Sequence, residues 1–237
     1  MNQGPEIRPA STVILLRDSN EGIETLLLKR NKALVFAGGF WVFPGGSLDP
    51  EDLAHAGGDQ EAASRIAAAR EAHEECGQQP LPEDMILLSH WTTPEAEPRR
   101  FATWIYAAPL RNDEEVKIDG GEIHDHRWLT VSTALEEHRH GNLAMLPPTW
   151  MTLITVGRYT NVAEFIEGER ESPVPYVLPV LCSHEDKMVA LYQGDAGYDA
   201  ADPSQQGARH RAQWRDDGWD YAYEGVSDEF PPLLEQV

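Results

Sequence analysis

Three glutamates, Glu71, Glu74 and Glu75, lie close together in the segment Ala69-Arg70-Glu71-Ala72-His73-Glu74-Glu75-Cys76-Gly77. On an α-helix, residues three and four apart share a face, so this spacing gathers three carboxylates into one stripe. Like charges so placed weaken a bare helix and raise one another's pKa unless a cation compensates. Hard divalent cations such as Mg2+ and Mn2+ seek oxygen ligands, so the stripe has the chemistry of a metal cradle. A run of acids is otherwise an ordinary solvated face, and the neighbouring residues must decide between the two. Ile66, Ala69, Ala72 and Cys76 make the opposite side small and apolar, suited to close packing.

The carrier is predicted as a helix from about residue 60 to 76, with Asp59 as N-cap and Gly77 just past its end. Upstream, residues 11–17 and 23–30 are β-branched and Leu-rich runs around Asp18-Ser19-Asn20-Glu21-Gly22, which reads as a hairpin. Residues 37–46 hold a short apolar strand between two Gly pairs. Residues 47–59, with Asp49-Pro50 and Gly57-Gly58 as breakers, read as a loop. Downstream, strands are expected at 85–91 and 101–108, with another ending in Arg127-Trp128-Leu129-Thr130. Helices are expected at 132–140 and from Pro147 to about Tyr159, with 162–167 continuing that helix or forming a second. Beyond Glu171 the texture turns to strands, at 174–182 and 188–192, and a hairpin around Asp216-Asp217-Gly218. The organisation expected is an α+β domain over 9–168 followed by a mostly β extension over 169–237. The last eight residues, with Pro231-Pro232, are expected to be loosely held.

Composition bounds the partners. The 237-residue chain has 41% hydrophobic and 25% charged residues, enough apolar material for a core, and a formal net charge of −21. That excess argues against a nucleic-acid footprint and against anionic membrane surfaces, both of which need clustered Lys and Arg. Two cysteines, Cys76 and Cys182, are too few for a disulfide framework or a zinc motif. No signal-peptide pattern and no apolar run of spanning length is present, so a cytoplasmic protein is expected, with a small-molecule partner and a homodimer as a compatible assembly. An anionic substrate would have to be drawn in by local cations or a metal.

The segment Arg70-Glu71-Ala72-His73-Glu74-Glu75-Cys76-Gly77, preceded by Phe43-Pro44-Gly45-Gly46, resembles the Nudix box, G-x5-E-x7-R-E-U-x-E-E-x-G-U, where U is apolar. The resemblance implies an α/β/α sandwich with a mixed central sheet that hydrolyses a nucleoside diphosphate linked to another moiety, using Mg2+ or Mn2+. Carried over by position, Glu71, Glu74 and Glu75 would be metal ligands, with the Gly45-Gly46 backbone against metal and phosphate and Arg70 orienting the carboxylates. Gly46 stands 24 residues before Arg70 where the box allows 14, and counting back from Arg70 puts the box's first Glu on Ala62. On that count, neighbouring Glu61 or the loop's Glu51 would have to stand in. At the last position Gln78 replaces an apolar residue.

The long loop, with Trp91-Thr92-Thr93-Pro94, Pro98-Arg99-Arg100-Phe101 and Leu146-Pro147-Pro148-Thr149, resembles an acyl-coenzyme A diphosphatase-like branch. A coenzyme A signature of a sister branch can be laid on residues 26–46, where Leu26, Leu27, Arg30, Gly39 and Phe43 to Gly46 match. Leu28, Asn31 and Val35 depart from it, the last replacing an Arg. Cations for the substrate are then sought in Arg30, Arg99 and Arg100, with Lys29 and Arg127 as further candidates. Similar enzymes carry an acid in the loop before a strand ending in Trp, and Glu122 in Gly120-Gly121-Glu122-Ile123-His124-Asp125-His126 holds that place. Metal-assisted hydrolysis of a phosphoanhydride is therefore expected, with Glu75 or Glu122 taking the proton. Two alternatives stand beside it. Pro94 lies sixteen residues past Gln78, a placement that resembles ADP-ribose hydrolases, and a Nudix-fold module that binds a nucleotide without turnover belongs to another class.

Overall fold

The computed structural model describes residues 6–33, 37–111 and 115–235. Val13, Ile14, Leu15 and Leu16 are consecutive in a strand and all four are fully buried, which requires both faces of its sheet to be covered. That strand is β1 (Ile7–Ser19), followed by β2 (Gly22–Arg30), β3 (Trp41–Val42) and β4 (Gly45–Ser47). Helices α1 (Pro50–His55) and α2 (Gln60–Cys76) come next, then β5 (Ile86–Thr92), β6 (Arg100–Pro109) and β7 (Ile123–Thr130). Three helices follow, α3 (Val131–Arg139), α4 (Pro147–Val156) and α5 (Val162–Glu169). The chain ends in β8 (Tyr176–Val177), β9 (Val180–His184), β10 (Lys187–Leu191), β11 (Arg209–Arg215) and β12 (Gly218–Glu224).

The main sheet is mixed, in the order β3-β2-β1-β6-β5-β8, with β4 on β1 and β7 on β2. β1 lies parallel to β6 along its length, from Ile7 opposite Arg100 to Leu16 opposite Pro109. β1 and β2 pair only near their turn, from Ser19 opposite Gly22 to Leu16 opposite Thr25. Beyond it the two strands splay, and the short strands fill the gap. β4 pairs with Ala10 to Thr12 of β1, and β3 pairs with Leu28 and Lys29 of β2. This split is what lets β4 bring Gly45 and Gly46 alongside α2.

Strand alternation then sorts the side chains. Val13, Leu15, Leu26 and Leu28 pack with Ala68, Ala72 and Cys76 of α2 on one face. Ile14, Leu16, Ile23 and Leu27 form the other core with α3 to α5, and Tyr192, Ala212 and Trp219 of the C-terminal strands join that same core. The α+β class with an added C-terminal sheet, of order β12-β11-β10-β9, is therefore what the chain adopts. Arg211 and Asp195, both almost fully buried, make a two-bonded ion pair of 2.6 and 2.7 Å that ties down the chain between β10 and β11.

Several expectations are corrected. Residues 47–59 are not all loop: Pro50 opens α1, where Asp49 and Asp52 form a reciprocal capping box. The helix from Pro147 stops at Val156, short of Tyr159, and of the two alternatives for 162–167 the second helix is the one formed, α5, capped by Asn161. The run 174–182 breaks into two strands in different sheets, since β8 joins β5 in the main sheet while β9 pairs with β10. The main sheet thus takes a strand from beyond residue 168. The described part of the C-terminal tail is pinned: the Leu233 amide donates to the Tyr221 hydroxyl, Leu234 is buried, and Glu235 pairs with Arg158. No helix among the described residues is long and apolar enough to cross a membrane.

Candidate active site

Helix α2 begins as its sequence requires, with the Asp59 carboxylate accepting from the Ala62 amide, and ends at the left-handed Gly77. Its small residues allow the helix to sit close on the split strands. Glu71 and Glu75 come down beside β4, where a side chain on Gly45 would run into the β1 backbone and one on Gly46 would have to push the Glu71 carboxylate aside. A Cβ on Gly46 would stand 2.4 Å from the Glu71 carboxyl carbon, and one on Gly45 2.4 Å from the Ser11 carbonyl oxygen. Backbone and carboxylate meet at distances only glycine permits.

The three glutamates do not share one environment. Glu75 is buried and accepts the Gly45 amide at 3.0 Å on Oε2, while the Arg30 guanidinium stands 3.9 Å from Oε1. Burial dominates, and the amide and Arg30 offset it only in part, so the Glu75 carboxyl is pushed up to about 8. Glu71 is raised for the same reason, partly offset by Arg70. Glu74 lies outermost, its side chain 57% exposed.

Arg70 organises the cluster. Its Nη1 donates to Glu71 at 2.9 Å and to Glu74 at 3.3 Å, and its Nη2 to the Ser47 carbonyl at 3.0 Å. A two-pronged contact to Asp52, at 3.0 and 3.3 Å, anchors the other edge. Burial works against the charge, but these carboxylates hold the Arg70 proton more tightly than usual.

Asp52 is the residue missed by counting back from Arg70. Glu51 is exposed and Glu61 pairs instead with Arg65, so neither stands in. The signal was available by counting forward: Asp52 is the sixth residue after Gly46, as G-x5-E demands, with Asp in place of Glu. The extra ten residues therefore fall between Asp52 and Arg70, as the end of α1, a turn and the start of α2.

Glu122 reaches the same place from β7's entry. Asp119 accepts the amides of Gly121, Glu122 and Ile123 at 3.2, 2.9 and 2.9 Å, which fixes that loop; against the pull of burial, those amides keep the Asp119 carboxyl low. The Glu122 side chain is exposed and meets Arg30 Nη2 at 3.3 Å, so Arg30 spans Glu122 and Glu75. The Arg30 Nε is buried with no partner.

Other expected cations are elsewhere. Arg100 Nε donates to the Thr93 carbonyl in the β5–β6 connection, and Arg99 is exposed there. Lys29 lies over the Trp41 ring and Arg127 pairs with Glu137. His124 is exposed on β7. Val35 falls outside the described residues, but Arg30 and Gly39 of the same pattern are joined: the Gly39 amide donates to the Arg30 carbonyl, and the Arg30 amide to the Phe40 carbonyl, each at 3.0 Å.

Among the described residues, no three acids are drawn close enough to clasp an ion, because Arg70 lies between Glu71 and Glu74. The donor set nonetheless suits a hard divalent cation: all-oxygen ligands, a buried carboxyl whose ionised form lacks sufficient compensation, and a glycine strand leaving no Cβ in the way.

The model of the NUDIX domain family matches residues 6–147. A NUDIX hydrolase structure from Alicyclobacillus acidocaldarius is 24% identical, with a TM-score of 0.64, over 71% of this chain and 99% of that one. A Caenorhabditis elegans Ap4A hydrolase complex (22% identical, 68% and 99% covered) has a TM-score of 0.46. The NUDIX domain of Shewanella oneidensis NrtR with ADP ribose (17%, 66% and 92%) has 0.47. No curated protein matches the chain.

Proposed function

The chain belongs to the NUDIX family of hydrolases, and from that premise we propose that it cleaves a phosphoanhydride bond in a nucleoside diphosphate linked to another moiety, with Mg2+ or Mn2+ as cofactor. The observation carrying this reading is the placement of Glu75, buried, aimed by the Gly45 amide and short of compensating charge, next to the Glu71 carboxylate packed on Gly46. A divalent ion held by Glu71, Glu74 and Glu75 with the Gly46 backbone would supply a Lewis acid that neutralises charge on the diphosphate and acidifies water.

The chain's own residues supply the rest. Arg70, held by Asp52 and the Ser47 carbonyl, donates to both Glu71 and Glu74 and so sets where each carboxylate stands. The Gly45 amide fixes the Glu75 rotamer, so its carboxyl group would be held in place to serve as a ligand. Glu122 is solvent-facing and lies across Arg30 from Glu75, which suits it to accept the proton of the attacking water. Arg30, whose guanidinium stands between Glu75 and Glu122 at the mouth of the cluster, is the cation positioned to meet substrate phosphate.

Coenzyme A or its esters is the substrate class we favour, because Arg30 and Gly39 of that pattern are bonded together beside the carboxylates. A panel of coenzyme A esters, ADP-ribose, dinucleotides and nucleoside triphosphates, assayed with Mg2+ and Mn2+ for diphosphate cleavage, tests the reading. Turnover of ADP-ribose in preference to coenzyme A esters would replace the substrate class, and turnover of none would refute the reaction.

A further inference from the structure

The C-terminal sheet lies outside the residues that match the family, yet it reaches the glycine strand of the site through one short loop. Residues 143–145, between α3 and α4, offer three successive carbonyls, and each is taken by a different part of the molecule. Leu143 accepts from Nδ1 of the buried His138 at 2.8 Å. Ala144 accepts the Trp41 amide of β3 at 2.9 Å. Met145 accepts the Trp219 indole of β12 at 2.8 Å. His138 closes the circuit, because its Nε2 accepts the Trp219 backbone amide at 3.3 Å. With Nδ1 donating and Nε2 accepting, the imidazole is a neutral ring using both nitrogens.

The fit on the C-terminal side is tight. Gly218, just before Trp219, has φ +104, and a Cβ there would stand 2.9 Å from His138 Nε2. Trp214 packs edge-on against both His138 and Trp219. On the other side, Trp41 begins the stretch Trp41-Val42-Phe43-Pro44-Gly45-Gly46. Its far end is held on β1, where the Thr12 hydroxyl donates to the Pro44 carbonyl at 2.6 Å and the Val13 amide to the same carbonyl at 2.9 Å. The strand presenting Gly45 to Glu75 and Gly46 to Glu71 thus pairs with β2 at Trp41 and Val42 and with β1 at its far end, and the 143–145 loop adds a third hold by taking the Trp41 amide.

We propose that the C-terminal sheet is a positioning element for the active site, with Trp219 and His138 acting through the 143–145 loop to hold the glycine strand in register with Glu71 and Glu75. The inference rests on reading those carboxylates as the cation cradle, and it assigns Trp219 and His138 no contact with substrate. A loosened 143–145 loop releases the Trp41 amide, and the glycine strand can then drift from the carboxylates it must face. A buried carbonyl left without its donor is costly, so the Met145 carbonyl favours a shift of the loop that restores a partner.

The test is Trp219→Phe, which keeps an aromatic ring against Trp214 and deletes the indole donor. Val189→Ala, in the same sheet and without a bond to the loop, serves as a control of matched loss in Tm. Two readouts are taken on the full chain: Mn2+ affinity by calorimetry, and amide hydrogen exchange of residues 41–46. Trp219→Phe is expected to weaken Mn2+ by about fivefold, the low end of ordinary site-to-site coupling, and to speed exchange at Trp41. Val189→Ala should do neither. Unchanged affinity and protection in Trp219→Phe, or equal changes in the control, overturn the proposal. Should the wild type bind no Mn2+, the cradle reading falls, and exchange at Trp41 alone decides the positioning. Should Trp219→Phe fail to fold, exchange in wild-type protein under mild denaturant decides it: residues 41–46 must open together with β11–β12, and protection that outlasts that sheet overturns the proposal.

Discussion

Glu75→Gln should stabilise the metal-free protein while removing its function, and the two effects share a cause. An isolated glutamate at 4.5 is pushed to about 8 here, so over that span the folded protein holds a proton the unfolded chain has released. Stability then falls as pH rises through this window, because the unfolded state binds fewer protons than the native one. Above the window the full difference applies, on the order of 3–5 kcal/mol at about 1.4 kcal/mol per pH unit. Glutamine keeps an oxygen for the Gly45 amide and carries no charge, so it escapes the cost. In EDTA at pH 8 the variant should melt about 6–20 °C above wild type, given roughly 2–4 °C per kcal/mol at this size. At pH 4.5 the two should melt within a few degrees of each other. Adding Mg2+ or Mn2+ should reverse the order, since an ion that binds only the native state stabilises by mass action and the variant has lost a ligand. Thermal unfolding by circular dichroism at both pH values, with chelator and with metal, reads all of this. A variant less stable than wild type in EDTA at pH 8 would show that Arg30 compensates Glu75 fully, and would refute the reasoning.

Three further perturbations separate the parts of the candidate site, and a fourth tests a turn away from it. Gly46→Ala puts a Cβ into the Glu71 carboxylate and should cut kcat about 100-fold with the fold retained in circular dichroism, as displacement of a reacting group by about 1 Å does. Asp52→Asn should cost about 1–3 kcal/mol in chemical denaturation, by weakening the two-pronged hold on Arg70, and should lower Mn2+ affinity measured by calorimetry. Glu74→Gln, at the exposed end of the stripe, should lower turnover sharply yet leave the Tm in EDTA unchanged. In the turn between β9 and β10, Glu185 and Asp186 both have positive φ, at 51 and 62°, so replacing them with Asn-Gly should raise the Tm by about 2–4 °C without touching activity.

Much of the candidate site's arrangement could be read before any coordinates because its information is local. Glu71, Glu74 and Glu75 share a helix face by spacing alone, and capping by Asp59 and Gly77 sets that helix within a residue or two. The hairpins β1–β2 and β11–β12 were legible for the same reason, since their turns lie between the strands they join. The family resemblance added the glycine strand, and counting forward from Gly46 would have added Asp52 as well.

What spacing could not supply was which carboxylate is buried and what each cation faces. On the helix Glu74 and Glu75 are adjacent and chemically alike. Only the splay of β1 from β2, with β4 inserted between, puts Glu75 beneath the Gly45 amide and leaves Glu74 in solvent. Arg30 and Arg100 are both strand-end arginines in the sequence, and the pairing of β2 with β7 and of β1 with β6 sends one to the carboxylates and the other to the Thr93 carbonyl. The attachment of the C-terminal sheet through Trp219, His138 and Met145 joins residues more than seventy positions apart. Short-range periodicity encodes a helix face because neighbours along the chain settle it, whereas burial, and with it the proton affinity of Glu75, depends on strands brought together from across the sequence.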